Sequence, residues 1–564
     1  MADTAQNRRG RGLGGPPQRK VSRWGPLCLL CLGSLAVLAG CGPKNYKDDA
    51  DRRVYDIIDR QWDPAFGTKA NYRIGDVAPG PNDIQIANAV PVSGVVTLPY
   101  ALSLATAHNR QYQTEKELLY TTALDQRLIR HGYETQLFGG GSIFYTHLSD
   151  AEGQEHKSDI VQTEANVGFN RLLPIGTLVG TKVATAWADV LAGDGRSGWT
   201  SIFSALITQP LLRGSDPRIV LEPLTQAERN TLYQIRAFNR FRKVLVVTVV
   251  TQYFLALEQD DYIRSAQAYH DALAQLHDQV VKLAAIGLVQ GLEADQIRQD
   301  MLKARDALLV AQRRYGLCLD QLKLTLALPV TGEFRLDVGL MDALRAHGLP
   351  APEIALKEAV ETALCRRLDL TNSADAVLDA QRAVYVAADR LRADLRLNAA
   401  VDVDTRGNRA VTIGPVLDLP LDRVPEQHVY RRALLGVEAR RRDYDQLADT
   451  VRLEVRDAHR KLVETAARYR AASDGLEIAQ MRAKKASVLM RYGQASSRRV
   501  LDALGDQFDA RSVATNMLIE YAIATLSFYR DTEALQVRPD GMWEQGPGLP
   551  VTAERTASVL PTAR

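Results

Sequence analysis

A chain of 564 residues, 46% hydrophobic and 24% charged, carries a formal net charge of only +3. No acidic or basic field points to nucleic acid, and the length allows several domains or one very elongated one. Of five cysteines, only Cys318 and Cys365 lie beyond the first 41 residues, where helix-patterned surroundings predict two buried thiols rather than a disulfide framework.

Arg8, Arg9, Arg11, Arg19, Lys20 and Arg23 precede "PLCLLCLGSLAVLA", an apolar run of about 14 residues, too short to span a bilayer. Residues 1–40 therefore read as a secretory signal. Leu38-Ala39-Gly40-Cys41 resembles the lipobox of bacterial lipoproteins, which implies that the Cys41 thiol receives fatty acyl chains such as palmitate and becomes the first mature residue. Gly42 in place of an Asp implies sorting to the outer membrane, with the acyl chains anchoring an N-terminal periplasmic segment, residues 41–94. No later stretch reaches 18 consecutive apolar residues; the nearest, residues 244–257, contains two Thr and a Gln. Any span beyond the anchor must be made of strands.

A helix is predicted over residues 97–134, after which the period changes from helical to two. In "VQTEANVGFN" Val161, Thr163, Ala165, Val167 and Phe169 alternate with Gln162, Glu164, Asn166, Gly168 and Asn170. Four strands fit here, at about 135–147, 160–171, 177–189 and 199–208, the last ended by Pro210, which cannot donate to a ladder. From about Asp216 to Ile286 runs a helix of roughly 100 Å. Toward its end Ala266, Tyr269, Leu273, Leu276, Val280, Leu283 and Gly287 recur at alternating spacings of three and four, a coiled-coil seam. Gly287 reads as a hairpin tip, because the helical pattern resumes beyond it for about 40 residues.

The chain is then written a second time. An offset of 206 carries Gly287 onto Gly493, Tyr315 onto Tyr521 and Arg305 onto Arg511; an offset of 258 carries Leu98, Ala101 and Ala105 onto Leu356, Ala359 and Ala363. Repeats thus occupy residues 95–330 and 353–537, separated by a mixed segment, 331–352. The offsets differ by 52, so the first copy holds an extra hairpin. The second copy has two strands, about 396–405 and 409–418, ended by Pro420, then a rod from Pro425 to Tyr492 with the seam Leu476, Ala479, Ala483, Ala486, Met490 and a tip at Gly493. Half-length helices are expected end to end beside each rod: the first return arm with the helix from 353, and residues 97–134 serving the second rod. Residues 538–564, rich in Pro and Gly without periodicity, read as a disordered tail. Alternation alone fits both a lipid-facing barrel with a wet lumen and a soluble sheet with one wet face; the secreted, lipidated context and the absence of a membrane helix favour the barrel.

Duplicated halves, "QPLLRG" leaving a strand, "RYGQASSRRVLDA" at one helical turn and "IGLVQGLEAD" at the other resemble the TolC family of outer-membrane efflux proteins over about residues 95–537. The resemblance implies an α+β membrane protein in which three copies form one tunnel, a long coiled-coil α-barrel continuous with a transmembrane β-barrel, girdled by an equatorial segment. It also implies an exit duct of a tripartite efflux or type I secretion system, exporting passively across the outer membrane, with no catalytic residues. Partners would be a periplasmic adaptor (membrane fusion protein) at the helical tips and an inner-membrane pump. Family members close the tip with acids of the turn motif; its D-V-L-D reads Arg499-Val500-Leu501-Asp502 here, one acid kept and one replaced, and Glu293 is the matching acid of the first half. A basic residue expected two positions after the second tip glycine is Ala495. The extra hairpin departs from two strands per half, and both a wider barrel and a covered mouth stay open.

Other classes fit less well. A periplasmic adaptor needs one helical hairpin flanked by small β-domains, whereas two stand in tandem. Nine His without H-E-x-x-H, and no G-x-S-x-G, leave no catalytic, cofactor-binding or metal-binding residue to assign. A non-transporting structural coiled-coil lipoprotein has no use for polar-faced strands.

Overall fold

The computed structural model describes residues 43–69, 72–74, 89–91, 93–148, 158–192, 198–347, 354–419 and 421–544. The leader with Cys41, Pro420 and the tail beyond residue 544 lie outside the described residues. Two units make up the chain, Met1–Arg53 and Val54–Arg564. Helix α1 (Pro43–Gln61) begins in the first, and every later element belongs to the second.

β1 (Val95–Val96) leads into α2 (Leu98–His108), α3 (Arg110–His131) and four strands, β2 (Gln136–Leu148), β3 (Ser158–Leu172), β4 (Leu178–Ala192) and β5 (Gly198–Pro210). A short α4 (Pro217–Val220) precedes the hairpin of α5 (Glu222–Ala285) and α6 (Gly291–Thr325). After β6 (Arg335–Leu336) and α7 (Gly339–His347) come α8 (Leu356–Arg366), α9 (Leu368–Asp389), β7 (Asp394–Asp404), β8 (Arg409–Asp418), α10 (Val424–Arg491) and α11 (Ser497–Asp531). A small hairpin, β9 (Gln536–Val537) and β10 (Trp543–Glu544), closes the order. α6 and α11 start and stop 206 positions apart, and α2 and α3 lie 258 positions before α8 and α9.

The 64 residues of α5 and 68 of α10 make rods of roughly 95–100 Å. Proline occurs in each only within the first turn, where the missing N–H has no helical partner to lose.

The opening helices depart from expectation in two ways. Each is broken, at Asn109 (ψ 127°) and at Arg367 (ψ 119°). The Asn109 side chain caps α3, its oxygen accepting from the Tyr112 N–H at 2.9 Å, while its amide donates to the Thr325 carbonyl at 2.8 Å. That second bond sets the start of α3 against the end of α6, so the end-to-end pair belongs to one half and is not exchanged between halves. β1 and β6 explain why: they pair in parallel, Val95 beside Arg335, bringing the chain to one level before α2 and after α6. In the second half Arg240 of α5 ties the same two ends together, reaching Asp369 at the start of α9 (3.1 Å) and Glu533 just past α11 (3.0 Å). Arg367, buried, is held by Asp369 at 2.7 Å and by Glu454 of α10.

Among the described residues three apolar clusters hold the helices, one of which joins Ala359 and Ala363 of α8 to Val451 and Val455 of α10 and Phe528 of α11. At the level of β1 and β6, Phe238, Tyr253 and Leu257 of α5 pack with Leu102 of α2, Leu119 of α3, Met341 of α7 and Leu526 of α11. Burying each such side chain is worth about 1.5–3 kcal/mol. At the hairpin turns, Leu273, Leu276 and Val280 of α5 meet Ile297 of α6, Ala483 and Ala486 of α10, and Val500 and Leu501 of α11. The residues of α5 and α10 in this cluster are seam positions read from the sequence; Ile297, Val500 and Leu501 are the partners the structure adds. Cys318 and Cys365 are unbonded; Cys318 is half-buried, but Cys365 is exposed, turned from the buried face of α8 that carries Ala359 and Ala363.

One polar node lies just before the seam. Asp261, buried between Leu257 and Ser265, accepts from Arg345 of α7 at 2.5 Å, and from Thr515 and Arg511 of α11 at 2.9 Å and 3.4 Å. Burial pushes its carboxyl up, but the hydrogen bond and charge of Arg345, with Thr515 and Arg511, outweigh it and hold the group below the usual carboxylate range. The node's contribution is therefore complete above the unfolded value near 4 and is lost as pH falls through the lower folded value. Asp261→Asn should cost about 2 kcal/mol at pH 7, with the gap between variant and parent closing in acid. Thermal melts followed by circular dichroism at pH 7 and pH 3 measure both.

Candidate functional site

The six long strands form one sheet in the order β2-β3-β4-β5-β7-β8, every neighbour antiparallel. Directly opposed residues share a face, so the register assigns every side chain. Leu137 lies opposite Phe169, then Thr181, Ala205, Val401 and Val411; Val167 lies opposite Val183, Phe203 and Val403. The other face carries Glu164, Asn166, Asn170, Lys182, Ser204, Asn398 and Asp402. One face of the sheet is thus mainly aliphatic and aromatic, and the other carries most of the charged and amide side chains, with Phe138, Phe144, Ile202, Leu206 and Val416 among them.

This apolar face is uncovered: Leu137 is 82%, Ile143 75% and Ile413 69% exposed. A continuous apolar surface of that extent marks an interface with lipid or protein. Strand lengths of 10 to 15 residues meet the nine to eleven a tilted membrane strand needs. At the end far from the helices Trp187 faces Trp199 across β4 and β5, with Tyr145 on the same face nearby, the placement of an interfacial aromatic girdle. Among the described residues β2 and β8 each have one unpaired edge, so the sheet does not close on itself within one chain. No described helix is long and apolar enough to cross a membrane.

At the opposite end of the rods are the two turns. Gly287 (φ 78°) and Gly493 (φ 74°) occupy the left-handed region, and each is followed by a six-to-one bond, Leu288 N–H to Leu283 O at 3.0 Å and Gln494 N–H to Leu489 O at 2.8 Å. Ser496 caps α11, accepting from the Arg499 N–H. The Ser497 hydroxyl donates to the Glu293 carboxylate, which joins the two turns. Tyr269 of α5 stacks on Phe508 of α11 at 5.0 Å between ring centroids.

No protein-family model matches the chain, and no curated protein matches it in sequence. Solved structures do. CusC, whose report describes the conformational changes accompanying its folding and transmembrane channel formation, superposes with a TM-score of 0.56 at 17% identity, covering 77% of this chain and 91% of CusC. The MtrE outer-membrane channel of Neisseria gonorrhoeae gives 0.55 at 14% identity, over 83% of this chain and 98% of MtrE. The outer-membrane protein VceC of Vibrio cholerae gives 0.55 at 14%, over 77% and 95%. The fold is that of TolC-family outer-membrane efflux channels.

In this TolC-like fold the predicted transition residue Pro210 is the last residue of β5, paired with Arg396, and Leu211 adds one more bond to the Leu395 carbonyl before the chain turns into α4. Glu293 is half-buried and engaged by Ser497, while Arg499 and Asp502 are exposed and make no ion pair among the described residues. The structure therefore brings Glu293 to the second turn but leaves the two residues of the α11 motif apart. Sequence reasoning missed Ser497, the Tyr269–Phe508 stack and the tryptophan pair. The adjacent serines after Gly493 were a legible helix-cap signal, whereas the other two depend on pairing between distant strands and helices.

No atom lies within 4 Å of where a Cβ would sit on Gly287 or Gly493, so only backbone conformation demands glycine there. Replacing either by Ala should cost about 1–2 kcal/mol and loosen the tip. Gly475, inside α10 and equally open, should gain about 0.5–1 kcal/mol on the same change. Hydrogen exchange at the tip amides, together with melting, separates the two signs.

Proposed function

We propose that three copies of this chain assemble into an outer-membrane exit duct, in which the sheets close one transmembrane β-barrel and the rods continue it as a coiled-coil α-barrel through the periplasm. The observation that carries this reading is the sheet: an uncovered apolar face bounded by two unpaired edges. In hydrocarbon an open edge leaves N–H and C=O groups without partners at several kcal/mol each, so edges must pair. β2 leaves the helical end and β8 returns to it, so β8 of one copy meets β2 of the next antiparallel, and closure repeats around an axis. The rods support the same assembly. Leu302, Leu309, Leu317 and Leu324 of α6 and Leu453, Ile478 and Val488 of α10 are exposed, apolar faces that suit neighbouring copies.

Two internal repeats, 95–330 and 353–537, flank an equatorial segment, 331–352, and Pro210 and Pro420 turn barrel into helix. Export is passive and uncatalysed: the tips meet a periplasmic adaptor, an inner-membrane pump supplies the energy, and Glu293, Arg499 and Asp502 line the aperture. Acylation of Cys41 tethers the N-terminus to the outer membrane beside the barrel. The likeness to outer-membrane channels supports this reading at the level of fold.

Purified, detergent-extracted oligomer should conduct in planar bilayers; absence of conductance would favour a structural coiled-coil lipoprotein. Val183→Arg, on the apolar face, should cost about 2–4 kcal/mol and deplete assembled protein from outer-membrane fractions, while Asn166→Arg on the polar face should leave assembly intact. Arg499→Ala combined with Asp502→Ala should raise conductance if the pair narrows the tip; unchanged conductance removes them from the aperture.

A further inference from the structure

We infer that the β2–β3 hairpin widens the barrel wall rather than covering its mouth, giving an eighteen-stranded barrel whose outer-membrane passage admits bulky hydrophilic cargo without sieving it. The inference rests on the three-copy assembly above. Its basis is the continuity of the sheet. β2 and β3 pair along the whole length of β2, from Gln136 with Asn170 to Leu148 with Ser158, and β3 pairs with β4 from Leu172 to Asp159. A strand folded over the mouth would break that ladder. Both faces also continue through the hairpin: Leu137, Ile143 and Tyr145 extend the apolar face begun by Val183 and Phe203, and Ser142 and Glu164 extend the polar one. The hairpin is wall by register and by chemistry.

Circumference supports the same conclusion. Each copy supplies four helical columns, α5, α10 and the end-to-end pairs α3 with α6 and α9 with α11. At roughly 9–10 Å between axes they require about 38 Å of arc. Six strands about 4.8 Å apart and tilted about 40° also span roughly 38 Å, whereas four strands would span only about 25 Å. The extra hairpin therefore matches the strand ring to the helix ring, and the duct meets the membrane without a shoulder. Three copies give roughly 36 Å between opposite backbones, in the range where barrels hold an aqueous channel. One close contact keeps the lumen side low: Phe138 lies over Gly168, where a Cβ would stand 2.6 Å from the ring, so this large side chain rests along the wall. Selection by size then falls to the helical tips.

The test uses full-length oligomer in planar bilayers, with neutral polyethylene glycols of graded size added to one side at a time. Polymers of about 10 Å hydrodynamic radius should enter from the sheet side and lower conductance, but should be excluded from the tip side. Replacing residues 136–172 by a short Gly-Ser link, which joins two points at the helical end of the sheet, should lower the sheet-side cut-off by about a third. End-on electron-microscopy views of the parent oligomer should show a rim of about 36 Å rather than about 24 Å, a readout that does not depend on the variant folding. A conducting oligomer with a narrow rim, or one that excludes these polymers from the sheet side, overturns this inference and leaves the duct standing. A complete lack of conductance overturns both.

Discussion

An antiparallel sheet with one aliphatic face and two unpaired edges cannot rest in either solvent alone. In water the uncovered face costs about 25 cal/mol for every Å² left wet, and in lipid the open edges leave backbone groups without partners. The polar face, with Glu164, Lys182 and Asp402, adds a third demand, since it must stay wet while its reverse is in hydrocarbon. A closed ring of such sheets meets all three demands. In the proposed assembly the rest of the molecule brings sheets from separate copies together in that way.

The rods supply the arrangement. A helix of 64 or 68 residues cannot be buried inside a globular core, so each is supported along its length by shorter helices set end to end. The joins occur at one level, where Asn109 and Arg240 each hold two helix ends through polar groups and Arg367 ties the start of α9 to the middle of α10. Tyr253, Phe238 and their neighbours form the largest apolar cluster among the described residues. Toward the turns one cluster joins alanines of α10 and larger residues of α5 through α6 and α11. Just before the coiled-coil seam Asp261 recruits arginines from α7 and α11, so a helix of the mixed segment is latched to both halves through one carboxylate.

Much of this was legible in the order of residues. Period-two alternation located all six strands to within a few residues, because β-sheet side chains alternate regardless of partner. The seam from Ala266 to Val280 and the turn glycines 287 and 493 were equally plain, since a long rod with a 3–4 repeat has one apolar stripe and a reversal needs a left-handed residue. Helix partnership was not legible. Residues 97–134 were assigned to the wrong rod, because length matching allows either pairing and only the Asn109–Thr325 bond and the β1–β6 bridge select one. Breaks at Asn109 and Arg367 were missed for a related reason: neither residue is a strong helix breaker, and each is held by a partner more than 85 positions away. The exposure of Cys365 shows the same limit, since an apolar pattern on a helix gives a stripe but not which neighbour covers it.

The sequence by itself determined what each segment prefers: rods, strands, turns, their duplication, and which side chains share a face, because these follow from local periodicity and from backbone conformations that only certain residues accept. Tertiary structure decided which segments meet. It set the strand order that makes one six-stranded sheet from both halves, the tryptophan pair across β4 and β5, the contact of Glu293 with Ser497, and the end-to-end joins. Those depend on where chain segments far apart in sequence are brought in space, and no local preference encodes that distance.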